Sequence, residues 1–142
     1  MYKVWVLSLS MIFLAACTGR ENANVEERKV EYAAFIDNPT EISFDEMVFD
    51  FGKVKDGEEV RHIYKFKNTG DKTLVLLAVN GTCGCTVPED WPEQPIAPGE
   101  TGEITVVFDS SGKVGNVRKN IRVEANTNPT LTVLTLMGVV TE

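Results

Sequence analysis

An all-β sandwich is the architecture this sequence predicts, and three observations carry it. After residue 42 apolar and polar residues alternate over several short runs; turn residues separate those runs at fairly even spacing; and no long stretch there has the helical period of about 3.6 residues. About seven strands in about 100 residues, punctuated by turns, is the pattern of an immunoglobulin-like sandwich.

The series begins with MVFDFGKV, Met47–Val54. Asp56-Gly57 follows, and its glycine supplies the positive φ of a tight turn, which predicts a hairpin to the next run. In EVRHIYKFKN, Val60, His62, Tyr64 and Phe66 alternate with Arg61, Ile63, Lys65 and Lys67, so this is a strand with one buried face. TLVLLAV and LTVLTLMGVV are continuously apolar, which suits central or terminal strands. GEITVVFD turns Ile104, Val106 and Phe108 inward, and VRKNIRVEA does the same with Val117, Ile121 and Val123. Thr69-Gly70-Asp71, Asn80-Gly81, Pro98-Gly99, Ser111-Gly112 and Asn126-Thr127-Asn128-Pro129 provide further turns.

Ahead of this domain, Lys3 precedes an apolar run from Val4 to Leu14. That run is shorter than the about 20 apolar residues a bilayer span requires, so residues 1–16 read as a signal peptide. Leu14-Ala15-Ala16-Cys17 resembles the lipobox of bacterial lipoproteins, which implies cleavage before Cys17 and covalent lipid on its thiol and amino group. Residues 17–41 read as the lipidated N-terminus and a polar tether, within which Val30, Tyr32, Phe35 and Ile36 have the makings of a short ordered piece. Residues 42–142 are the sandwich domain.

Three stretches of this domain resemble a known family. FDFGKVKDGEEVRHIYKFKNTGDKTLVLLAV, TCGCTVPEDWPEQPIAPGETGEITVVFD and SSGKVGNVRKNIRVEANTNP are similar to the exported bacterial domains grouped as domain of unknown function 1573. The resemblance implies an immunoglobulin-like sandwich akin to pilus chaperones and the major sperm protein, and it implies no known activity.

The most distinctive piece is Cys83-Gly84-Cys85. A signal peptide places it outside the cytoplasm, where a disulfide is permitted. On an extended strand the two Cα atoms would lie about 7 Å apart, at the limit for a bridge unless Gly84 bends the chain. Three readings stand: two packed structural cysteines, free or bridged; a labile redox pair; or part of a soft-metal site for copper or zinc. The structural reading leads. A redox pair usually has two intervening residues and a helix N-terminus, and a closed zinc site wants four ligands. His62 is the obvious additional ligand, but it shares a face with Val60, Tyr64 and Phe66, which suits a satisfied histidine near the sandwich edge. Trp91, between prolines in PEDWPEQP, suits a cap on the core, with an exposed recognition aromatic as its alternative.

The single histidine offers no nucleophile–histidine–acid set, and no glycine-rich phosphate loop opens a helix. Glu26-Glu27 and Glu58-Glu59 read as solvated acids. A net charge of −7 with interspersed lysines argues against nucleic acid as a partner. The expectation is a non-enzymatic, lipid-anchored binding or scaffolding module without cofactor. It would sit in the envelope of a Gram-negative bacterium, on the periplasmic or outer-membrane face, with a protein partner. The alternative is a thiol-dependent metal or redox protein using Cys83 and Cys85.

The lipobox makes a direct prediction. Cys17→Ala abolishes incorporation of a fatty-acid analogue in metabolic labelling and leaves uncleaved precursor; equal labelling of variant and wild type rules the anchor out.

Overall fold

The computed structural model describes Glu27 and residues 30–142; the signal peptide and Cys17 lie outside the described residues. A short helix α1 (Ala33–Ile36) precedes eight strands: β1 (Ile42–Phe44), β2 (Val48–Lys55), β3 (Glu59–Asn68), β4 (Leu76–Gly81), β5 (Thr86–Asp90), β6 (Thr101–Asp109), β7 (Gly115–Ala125) and β8 (Leu131–Thr141). They form two four-stranded sheets, ordered β1-β3-β6-β5 and β2-β8-β7-β4. The immunoglobulin-like sandwich is therefore present, with eight strands where the sequence suggests about seven. The two that sequence patterning passes over are short: β1 has three residues and β5 has five.

Alternation on β3 and β6 builds the interior. Tyr64, Phe66, Ile104, Val106 and Phe108 are buried and meet Ile121, Val123, Leu134 and Leu136 of the opposite sheet. Each such side chain stabilises the fold by about 1.5–3 kcal/mol relative to exposure. Across the interface the Tyr64 hydroxyl donates to the Thr135 carbonyl at 2.8 Å, joining the sheets by a buried hydrogen bond.

Two turn expectations are corrected. Gly57 does adopt a φ of +87°, but β2 pairs with β8 and β3 with β6, so Asp56-Gly57 carries the chain from one sheet to the other and makes no hairpin. An Asp-Gly pair specifies local backbone curvature, and pairing is decided by which edges the core leaves adjacent. Asn80 and Gly81 are the end of β4 rather than a turn. Gly81 is required there for close approach, since a Cβ would run into the Thr86 carbonyl.

The N-terminal segment packs onto the second sheet. Tyr32 is buried with Val75 and Leu77, while Phe35 and Ile36 pack alongside and Val30 remains exposed. Asn126, 1% exposed, holds this arrangement. The two N–H groups of its Nδ2 are shared among the carbonyls of Thr73 (2.9 Å), Phe35 (3.1 Å) and Asn38 (3.3 Å), and its Oδ1 accepts the Val75 amide at 2.7 Å. Asn68 plays the same part at the other sheet. It donates to the carbonyls of Lys72 and Ile96 and accepts from the Thr40 hydroxyl and the Gly70 amide.

Removing such a hub strands several buried backbone groups at once. Asn126→Ala should lower unfolding free energy by about 2–4 kcal/mol in a urea titration, whereas Val30→Ser should stay within about 0.5 kcal/mol of wild type. An Asn126→Ala titration superimposable on wild type would contradict the assignment.

Candidate functional site

Two places on the sandwich combine chemistry with access: the cysteine corner and the outer face of the β2-β8-β7-β4 sheet.

The corner is the crossing from β4, at the edge of one sheet, to β5, at the edge of the other. Thr82 donates twice to the Asn120 carbonyl, from its amide and from its hydroxyl, both at 3.1 Å. The chain then turns, and the Thr86 amide donates to the Cys83 carbonyl at 3.2 Å. This turn draws the cysteine Cα atoms to 5.3 Å, inside the limit that an extended strand would strain, and Cys83 and Cys85 are joined as a disulfide. Gly84 points into open space. Cys85 packs against the main core, and the Thr86 hydroxyl lies 3.6 Å from Cys83 Sγ. Among the described residues no three His, Cys, Asp or Glu side chains gather as a ligand set.

His62 does sit on the β3 face predicted for it, and it has no contact with the cysteines. Its ring stacks on Phe49 at 3.6 Å between centroids and meets the edge of Tyr64 at 4.6 Å. Its Nε2 lies 3.0 Å from a Glu46 carboxylate oxygen, yet the approach is misaligned for a hydrogen bond, leaving an electrostatic contact. Burial pushes the imidazole below its usual range, and Glu46 only partly opposes this. Trp91 is half-buried and, like Cys85, packs against the main core.

The second place was not singled out from the sequence. On the outer face of the second sheet, register aligns Asp50 of β2, Met137 of β8 and Arg118 of β7 in one row, and Lys53, Val139 and Asn116 in the next. A β-bulge in β2, with Gly52 at a φ of +71°, opens a groove of about 410 Å³ between these rows. Val48 and Val133, 47% and 40% exposed, extend the apolar strip. Lys53, Arg118 and Arg122 stand beside it with no carboxylate in ion-pair contact among the described residues. The opposite outer face differs: Arg61 pairs with Glu89 at 2.7 Å and Lys65 with Glu103 at 3.6 Å, around Ile63 and Val87. The available signal was parity. Val133, Met137 and Val139 fall on the β8 face opposite to Leu134 and Leu136, so a central strand carries apolar residues on both sides.

Comparison with known proteins agrees with this architecture. The family model described as protein of unknown function (DUF1573) matches residues 42–140. A protein of unknown function from Porphyromonas gingivalis W83 superposes with a TM-score of 0.59 at 18% identity, over 71% of this chain and 46% of that one. The secreted serine protease VesC of Vibrio cholerae gives 0.59 at 12% identity, over 79% of this chain and 26% of that one. A PapD-like domain of human CEP192 gives 0.59 at 13% identity, over 73% of this chain and 87% of that domain. This chain thus spans less than half of the first two, and the likeness is one of fold. No curated protein matches the sequence.

The His62 environment predicts a pH dependence. Because folding lowers its proton affinity below the unfolded value near 6.5, the unfolded chain binds more protons as the solution is acidified. Stability should therefore be full above about pH 6.5 and decline toward pH 5. Urea midpoints measured across this range should fall for wild type and fall less for His62→Gln; identical slopes would remove His62 as the cause.

Proposed function

The chain belongs to the DUF1573 family over residues 42–140, and on that premise we propose that it is a lipid-anchored envelope protein whose sandwich binds another protein without catalysing a reaction. One observation carries the reading. The outer face of the β2-β8-β7-β4 sheet places an apolar strip, Val48, Val133, Met137 and Val139, beside Lys53, Arg118 and Arg122, which have no carboxylate in ion-pair contact among the described residues. In a chain of net charge −7, such cations grouped along exposed apolar residues suit an acidic partner surface with apolar side chains of its own. Aliphatic contacts would supply the desolvated centre and the two arginines a charged rim. Lipid at Cys17 would hold the module at a membrane, and the chain up to Tyr32 would set its reach.

Site-specific photo-crosslinking in cells tests the binding face. A crosslinker at Val139 should yield a discrete adduct that is lost in the Arg118→Glu, Arg122→Glu double variant, while one at Ile63 on the other sheet should yield none. Equal adducts from both positions, or an adduct insensitive to charge reversal, would count against this face.

A further inference from the structure

We infer that the Cys83–Cys85 bridge is a thiol–disulfide exchange site, open at Cys83 to a small or protein-borne dithiol. The bridge contributes little as a staple. It spans only Gly84, so it closes a minimal loop and removes little freedom from the unfolded chain. The strands it joins are already held by other bonds. Thr82 is fixed to Asn120, the Thr86 amide to the Cys83 carbonyl, and the Asp109 amide to the Cys85 carbonyl at 3.0 Å. Opening the bridge therefore leaves the β4–β5 crossing in place.

The two sulfurs differ in backing rather than in exposure. Both cysteines are half-buried and flank the exposed Gly84, but of the two only Cys85 packs against the core. An attacking thiolate must approach a disulfide along the S–S axis, which favours Cys83, the sulfur without the core packed against it. In the first step a thiolate of the dithiol forms a bond to Cys83 Sγ. The Cys83–Cys85 bond breaks, and its electron pair leaves on Cys85 Sγ, which takes a proton from water. In the second step the remaining thiolate of the dithiol attacks its own sulfur in the mixed disulfide and expels Cys83 as a thiolate. The Thr86 hydroxyl, 3.6 Å from that sulfur, is placed to donate to the departing charge. The protein disulfide is reduced to two thiols and the dithiol is oxidised to its disulfide, two electrons passing between them.

The test uses the purified full chain with dithiothreitol and, separately, glutathione. After timed exposure the reaction is quenched with an alkylating reagent, and peptide mass mapping reads each cysteine. Near-ultraviolet circular dichroism is recorded in parallel. The expected result is alkylation of both Cys83 and Cys85 after dithiothreitol with an unchanged aromatic signal. A brief glutathione pulse should leave glutathione on Cys83 and alkylation on Cys85. Thr86→Val, close in shape, should slow reduction by about two- to tenfold. The inference is overturned if the pair opens only as the aromatic signal is lost, if both cysteines alkylate without reductant, or if glutathione is found on Cys85.

Discussion

The fold depends on one recurring constraint: backbone groups buried where strands begin and end must find partners inside the protein. Two asparagines meet it. Asn126 reaches the carbonyls of Thr73, Phe35 and Asn38 and the amide of Val75; Asn68 reaches Lys72, Ile96, Gly70 and Thr40. An asparagine amide has two donors and an acceptor on one rigid plane, so a single side chain can replace several missing ladder bonds. With both in place, the approach to β4, the N-terminal segment and the loop before β6 are pinned to the same end of the sandwich. Gly70 is part of this fit, since a Cβ there would collide with Thr40.

Much of the architecture was legible because a half-buried strand writes its geometry directly into residue parity. Val60, Tyr64 and Phe66, and likewise Ile104, Val106 and Phe108, read inward in the sequence and are buried in the structure. The same logic is silent where a strand is too short to show a period, as in β1. It is ambiguous where a strand is apolar on both faces. TLVLLAV and LTVLTLMGVV look alike in sequence for different reasons: Leu77 of β4 is covered by Tyr32 and its neighbours, whereas Val133 of β8 is left to solvent. Of the asparagine hubs, Asn126 reads as an ordinary turn residue and Asn68 as the end of a strand run, because nothing local distinguishes an asparagine that ends a strand or turns the chain from one that buries its amide. Of the site residues, Cys83 and Cys85 were visible from spacing alone. The cationic groove was not, because it is assembled by the pairing of β2, β8 and β7.

Three of the four sheet edges are blunted, each in a different way. β5 carries Pro88, which has no amide to offer a further strand, and its register shifts just beyond it. β2 is broken by its bulge and carries Lys53 and Lys55. β1 is only three residues long. These are the devices by which sandwich proteins avoid pairing edge to edge with one another. At these three strands they leave faces, rather than edges, as the surfaces on which recognition can be built.

The parallel pairing of β2 with β8 bears on how the chain reaches this state. Thr141 bonds the Val54 carbonyl across 87 residues of sequence, so the second sheet cannot close until its last strand has emerged. A hairpin of β7 and β8 can form locally, but β2 must wait, and bringing such distant segments together carries a large loop-closure entropy. Until β8 is available, β2 has no partner strand in its own sheet, while β1 and β3 of the other sheet can already pair.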